Sequence, residues 1–516
     1  MFKISFYRLG GMVFNMEGHP SNLNYLFKPR SIAVVGASEN PEKMSGQPLR
    51  NLLKLGYTGK MYAINRRVST VAGIKSYKSL SDIGEPIDVA MICLPRKAAI
   101  DAAEECSRLK IPFAIIAVSG FGEVGDREGN ELQQRLAEIG KTGTRIVGPN
   151  CNGIYNVIDN ISIGYNVTHG MKLNPGNVAL ISHSGALFNP YVQLGKSYGL
   201  GYSYFVSAGN ESDLNLLDYF EFMVEDDHTT IISLILDGIK DVQRFRKLCK
   251  LAHEKGKKIT ALKLGDSKRG SESVVAHSSR LAGSSKAYQA LFAECGVVQA
   301  FTLESLLGCN AILGKYNLTE SSNVVGLSTS GAGCAILADT GERYHVSFPK
   351  LDPMTIQKMD EHKGFGTPMN PFDVGASGPA QMEYMTRVLA NDPSVGYVLF
   401  YSTQLQTKKI REEVAYKFAK VCEEKNRIPF LVIAPGPLSD EEMKIYREFN
   451  ILVFRSSDSV FQAISAINQA RHSYQKVQAP LQGIDIKLSK DCLAIDPQTT
   501  HILLEQAGIP YVDESI

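Results

Sequence analysis

Residues 31–46 read SIAVVGASENPEKMSG, and the reading of this stretch decides the fold. Ile32 to Val35 form an unbroken, partly β-branched apolar run with no polar alternation, the pattern of a strand covered on both faces. The run ends at Gly36, and a helix opens further on. That is where a doubly wound sheet offers backbone N–H groups to an anion.

Working outward, the same rhythm continues in MYAIN, VAMICLP, PFAIIAVSGF and TRIVGPN, up to residue 150. It restarts in NVALISHSGA, YSYFVSAGN, TIISLILDG, KITALKLG and VVQAF, and again in VVGLSTSGAG, YVLFYS, PFLVIAPG and ILVFRS. Buried strands alternating with helices predict parallel sheets and an α/β fold class. Three α/β domains are expected, over 22–158, 159–318 and 319–470. Residues 1–21 read as an extension without fold information. Residues 471–487, polar and marked by Pro480 and Gly483, read as a linker. The segment from 488 to 516 carries one helix pattern, ended by Gly508 and Pro510, and reads as the start of a further domain.

Composition narrows the partners. The chain has 516 residues, 44% hydrophobic and 21% charged, with a formal net charge of +2. No basic stripe suits a nucleic-acid backbone, and no apolar run is long enough to span a bilayer. The N-terminal residues lack the continuous apolar core of a signal peptide. Nine scattered cysteines suggest neither a disulfide framework nor a metal site, which fits a reducing cytoplasm. Small neutral or anionic molecules are the expected ligands.

The motifs give those ligands positions. The fingerprint G-x-G-x-x-G is absent, since the glycine after Gly36 is Gly46. Asn65, Arg66 and Arg67 follow the second strand, where an acidic residue would bind a ribose hydroxyl. Cations there suit a ribose phosphate, which leaves NADP and coenzyme A level. Pro95, and the loop of Ser119, Gly120, Phe121 and Glu123, fall at strand ends facing the same crevice, and Asn150 could reach a substrate. Cys151 lacks an identifiable base and reads as structural. Ser182, Ser184 and Gly185 form a strand-to-helix turn whose free N–H groups suit a phosphoryl group, and Ser330, Gly331, Ala332 and Gly333 repeat it. His183 reads as a cap or packing residue. His277, in VVAHSSRLAGS, lies among small residues without a second metal-spaced ligand, as a nucleophile offered on a flexible loop would.

These motifs form an ordered series over some four hundred residues: SIAVVGAS, GYTGKMYAINRR, GFGEVG, GPNCNGI, LISHSGAL, FVSAGNESD, LILDGIKD, AHSSRLAGS, LSTSGAG and NPFDVG. The series resembles the NDP-forming acyl-CoA synthetases, relatives of succinyl-CoA synthetase. The resemblance implies a CoA-binding Rossmann-like domain followed by two flavodoxin-like ligase domains, with residues 488–516 similar to the opening of an ATP-grasp domain. It implies an ADP-forming acid–thiol ligase that uses coenzyme A, a small carboxylic acid, and ATP/ADP with Mg2+ held by an ATP-grasp domain or subunit. An oligomer is also implied.

Carried over by residue, the resemblance makes His277 the phosphorylated histidine and Asp237 its acidic partner. It makes Ser182, Ser184, Gly185 and Ser330 to Gly333 the phosphate-binding turns. Gly36, Ala37, Ser38, Asn65, Arg66, Pro95, Ser119, Gly120, Phe121 and Glu123 become the CoA site, with Asn150 at the substrate. The chain departs from the family pattern at Ser278, Ser279 and Arg280, where His-Thr-Gly is usual, at Asp237 for glutamate, and at His183 for glutamine. Such departures keep open a second reading, a CoA-binding paralogue without turnover.

Overall fold

A computed structural model describes residues 7–9, 12–14, 23–278, 284–362, 367–375, 379–404, 406–424 and 428–478. Strands β1 (Tyr7–Leu9) and β2 (Met12–Phe14) pair as an antiparallel hairpin inside the stretch expected to carry no fold information. The expected start of a further domain, at 488–516, lies outside the described residues.

The first sheet contains β3 (Ser31–Val35), β4 (Lys60–Ile64), β5 (Thr70–Val71), β6 (Ile74–Tyr77), β7 (Val89–Ile92), β8 (Phe113–Ile116) and β9 (Arg145–Val147). Its order is β5-β6-β4-β3-β7-β8-β9, parallel except for the β5–β6 pair. Without β5, this is the 3-2-1-4-5-6 order of a Rossmann sheet, with its topological switch between β3 and β7.

The second sheet holds β10 (Gly153–Asn156), β11 (Ile161–Gly164), β12 (Pro175–Ser182), β13 (Tyr202–Ser207), β14 (Ile231–Leu236), β15 (Lys258–Lys263) and β16 (Val298–Ala300). The parallel strands run in the order β13-β12-β14-β15-β16, which is the 2-1-3-4-5 order of flavodoxin. Strands β10 and β11 extend it as an antiparallel hairpin, because Ile154 to Asn156 pair with Val206 to Tyr204. The expected limit at residue 158 therefore cuts through this hairpin. Pairing partners fifty residues away are not visible in the local pattern.

The third sheet repeats the same order with β17 (Val324–Ser328), β18 (Phe372–Asp373), β19 (Tyr397–Tyr401), β20 (Phe430–Ile433) and β21 (Leu452–Phe454), as β18-β17-β19-β20-β21. The helix Ser457–Gln478 then runs eight residues into the expected linker. The Tyr474 ring lies 4.6 Å from the His253 ring and Arg471 bonds the Thr319 carbonyl, so long-range contacts hold a segment whose own composition is polar.

The cores join the sheets. One buried cluster combines Val34, Met91 and Ile115 of the first sheet with Ile181, Leu234 and Ala261 of the second. Another combines Leu180, Ile235 and Leu262 with Val324, Leu399 and Leu431 of the third. The alternating residues of β12, β14 and β15 thus face one neighbour or the other.

Candidate active site

At the first switch point Gly36 has φ +83°, and a Cβ there would stand 2.7 Å from Leu94 Cδ2 and 3.0 Å from the Cys93 carbonyl oxygen. Only glycine fits such a cradle without strain. Ala37 is buried, and its carbonyl accepts a 2.8 Å bond from Asn65 Nδ2. Ser38 Oγ accepts from the Asn40 amide, and Arg50 binds the Ser38 carbonyl. Asn65 and Ser38 therefore brace the loop. Arg66 is exposed, and Pro95 caps the start of the helix Arg96–Arg108.

The second loop is built around Glu123. Its carboxylate accepts the Gly120 amide at 2.5 Å and the Phe121 amide at 3.1 Å, while Arg96 binds the Gly120 carbonyl at 2.8 Å. Ser119 is exposed, whereas the Phe121 ring is fully buried in the first-domain core. Its expected role at the ligand is thus corrected: the side chain is packing, and only the backbone can face the crevice.

This loop is tied to the second domain. Asn210 Nδ2 bonds Glu123 and, at 2.9 Å, Gln133 Oε1, and its Oδ1 lies 3.4 Å from Asn150 Nδ2. Asn150 has φ +56°, a left-handed conformation that asparagine tolerates. Beside it, Arg145 and Asp213 form a bidentate pair with both contacts at 2.9 Å.

At the second switch point, β12 and β14 pair so that Ser182 stands opposite Ile235. His183 then lies beside Asp237, whose backbone N–H donates to His183 Nδ1 at 2.9 Å. His183 Nε2 is 2.9 Å from Glu211 Oε1, and both side chains are 2% exposed. With Nδ1 accepting, the ring donates from Nε2 to the carboxylate. Glu211 itself has φ +55°, accepts the Leu216 amide at 2.7 Å, and has its carbonyl bonded by Lys240 Nζ at 2.6 Å. His183 is therefore the packing residue expected. Glu211 was not singled out in the sequence, although GNESD sits at a strand end. Lys263 at the end of β15 was also passed over. It is buried, which lowers its pKa, and it feels the charges of Asp237 and Asp266.

The Ser182 turn is compact. Ser182 Oγ accepts the Ser184 amide at 3.0 Å and donates to the Ser184 carbonyl at 2.8 Å. Gly185 opens a 3-10 turn, Gly185–Leu187, that leads into the helix Phe188–Ser197, and a Cβ on Gly185 would lie 2.4 Å from Asn152 Nδ2. In the third domain, Ser330 stands at the N-cap position of the helix Gly331–Arg343, with no capping bond from its side chain. A Cβ on Gly333 would collide with Ser328 Oγ at 2.1 Å, so this glycine sets how closely helix and strand approach. Asp373 Oδ2 lies 3.3 Å from where a Gly331 Cβ would be.

His277 lies in the last turn of the helix Lys268–Ser278 rather than in the loop expected, and this helix packs against the 3-10 turn Gly122–Val124 of the first domain. Its side chain, and Ser279 and Arg280, lie outside the described residues. Cys151 is buried, its thiol donating to the Ser207 carbonyl at 2.8 Å, and burial pushes its pKa up to about 12. That is the chemistry of a structural thiol. Among the described residues, no cluster of three or more His, Cys, Asp or Glu forms a metal site, and no helix is long and apolar enough to cross a membrane.

The sheet orders and glycine-lined switch points define an α/β protein with one Rossmann and two flavodoxin-like sheets. Residues 30–156 match the CoA binding domain family, and residues 175–313 match the succinyl-CoA ligase like flavodoxin domain. The chain is 35% identical over 383 residues to the alpha subunit of ADP-forming acetate–CoA ligase II of Pyrococcus furiosus, covering 73% of this chain and 81% of that one. It is 30% identical over 456 residues to the alpha subunit of ligase I from the same organism, covering 86% and 97%. The solved dinucleotide forming acetyl-coenzyme A synthetase 1 of Ca. Korarchaeum cryptofilum, in complex with phosphate and ADP, matches with a TM-score of 0.78 at 27% identity, over 89% of this chain and 100% of that one. The chain belongs to the ADP-forming acyl-CoA ligases.

Proposed function

We propose that this chain is the CoA-binding, phosphoryl-carrying part of its ligase and works with an ATP-grasp domain or subunit. The overall reaction joins a small carboxylic acid to CoA as ATP becomes ADP and phosphate. Coenzyme A lies in the crevice lined by Gly36, Ala37, Ser38, Asn65, Arg66, Pro95, Ser119, Gly120 and Glu123. The acid lies near Asn150, and the turns at Ser182–Gly185 and Ser330–Gly333 hold phosphoryl oxygens.

Run towards acid release, phosphate attacks the thioester carbonyl and CoA leaves as thiol, giving an acyl phosphate. A ring nitrogen of His277 then attacks phosphorus, and the carboxylate leaves. The phosphohistidine passes its phosphoryl group to ADP on the partner, where Mg2+ is held. Asp237 orients His277, and preorganised N–H groups hold the phosphoryl charge without rearranging. Synthesis of acyl-CoA is the reverse, in the cytoplasm.

The observation that carries this reading is the packing of the His277 helix on the Gly122–Val124 turn, whose loop Asn210 ties to the second domain. We read His277, in the last turn of that helix, as the group that serves both crevices. The test is radiolabel transfer from phosphate to protein in the presence of acetyl-CoA, with acid lability as the mark of phosphohistidine. Label of equal intensity on a His277→Ala chain would sink the reading.

A further inference from the structure

A cavity of about 840 Å3 lies at the end of the second sheet opposite the switch point. Thr230, which precedes β14, and Lys258 and Val298, the first residues of β15 and β16, form one side. Ile467, Arg471 and Tyr474 of the helix Ser457–Gln478 form the other. The proposed chemistry sits at the C-terminal ends of these strands, so the cavity is separate from it.

Its charge is one-sided. Lys258, Lys315, Arg471 and His253 line it, and among the described residues no aspartate or glutamate does. Glu254 and Glu294 line an adjoining depression, where Glu294 is taken by Arg246 in a bidentate pair at 2.8 Å. The ammonium of Lys315, at the end of the helix Leu303–Lys315, has no hydrogen bond or ion pair with any described residue, and burial alone lowers its pKa. Withdrawing an ammonium from water without a counter-charge is unfavourable, and an incoming anion relieves it. Arg471 gives one N–H to the Thr319 carbonyl, and its guanidinium carries further donors.

The wall is also shaped. The Tyr474 ring is held against His253 and against Gly296, where a Cβ would lie 2.9 Å from it. His253 is itself fixed by its 2.8 Å contact to the Cys295 carbonyl. Ile467 and Leu313 continue the apolar surface. A cavity of this size at a domain boundary, lined by aliphatic and aromatic side chains together with convergent polar groups, has the form of a small-molecule site.

We propose that this cavity binds a small organic phosphate, with its anionic head on Lys258, Lys315 and Arg471 and its flat or apolar body against Tyr474, and that the bound ligand ties the second domain to the third. The chain contains no tryptophan, so Tyr474→Trp installs a single emitter in the cavity wall. Titration of the full chain with phenyl phosphate is expected to give a saturable change in that emission, and calorimetry on the unaltered chain the same affinity. Inorganic phosphate and benzyl alcohol, each lacking one feature, are expected to bind at least about tenfold more weakly. Lys258→Gln combined with Lys315→Gln is expected to lower phenyl phosphate affinity by about tenfold or more, while His277→Ala leaves it unchanged. Equal binding of benzyl alcohol, equal affinity in the lysine variant, or no saturable heat with the unaltered chain overturns the proposal.

Discussion

The turns at Ser182–Gly185 and Ser330–Gly333 follow the first strand of two sheets of identical order, yet their surroundings differ. The first opens on a 3-10 turn packed against Asn152, beside the buried His183–Glu211 pair and within one strand of Asp237. The second opens a helix directly and has the Asp373 carboxylate at its mouth. Duplicated topology has thus produced two unequal turns. On the proposed function, the first stands beside the residues assigned to phosphoryl transfer, while the second has a carboxylate of its own and is suited to clamp more loosely.

The strongest way to break this comparison is His277→Ala. If phosphoryl transfer belongs to the second domain, labelling vanishes and turnover falls on the order of 10^3-fold or more, as when a covalent nucleophile is lost. Retained turnover would move the chemistry elsewhere.

Paired glycine substitutions come next. Gly333→Ala drives a Cβ into Ser328 Oγ, which is bonded to the Tyr401 carbonyl, and is expected to cost about 1–3 kcal/mol of stability as overpacking. Gly185→Ala puts a Cβ 2.4 Å from Asn152 Nδ2 and 2.7 Å from its Cβ, so it too is expected to lose stability in urea denaturation, and it is expected to slow labelling as well. Labelling slowed to the same degree by Gly333→Ala would erase the distinction.

Glu211→Gln keeps the shape of the His183 partner but removes its charge. Turnover is expected to fall about tenfold, ~1.4 kcal/mol, through loss of a charge-assisted bond, with KM for CoA unchanged. A change confined to KM would place Glu211 in ligand binding instead. The smallest effect is expected from Asp373→Asn, where relief of repulsion at a helix start should lower the KM for phosphate by roughly two- to fivefold. A raised KM would show that the carboxylate helps the site.

Much of this was legible in the residues themselves. The long apolar runs around Val34, Ile115, Leu180 and Leu327 are strands because strands covered on both faces need no polar alternation. The short edges β5, β6 and β18 carry too few residues for such a signal. Gly36 was readable as a cradle, because a glycine after a buried strand has few other uses. Phe121 was misplaced because burial is a property of the folded surroundings: GFGEVG shows a small-residue loop, not that its ring turns inward. Glu211 and Lys263 escaped for a related reason. Glu211 matters through its bond to His183, and Lys263 through its place near the charges of Asp237 and Asp266, and no spacing within one segment records that. The helix through residues 471–478 is held by Tyr474 and Arg471 against distant partners, so a polar string there looked like a linker.

The shared cores bear on how the molecule comes apart. Strands β12, β14 and β15 give alternate side chains to a cluster completed by the first sheet and to one completed by the third. Helices Leu216–Glu225 and Val242–Glu254 on one face and Leu303–Lys315 on the other share these clusters, so the middle domain's interior is continuous with both neighbours', and excising it would bare apolar surface on each side. Three modules by topology become one cooperative unit in melting, because the central one cannot open without stripping its neighbours.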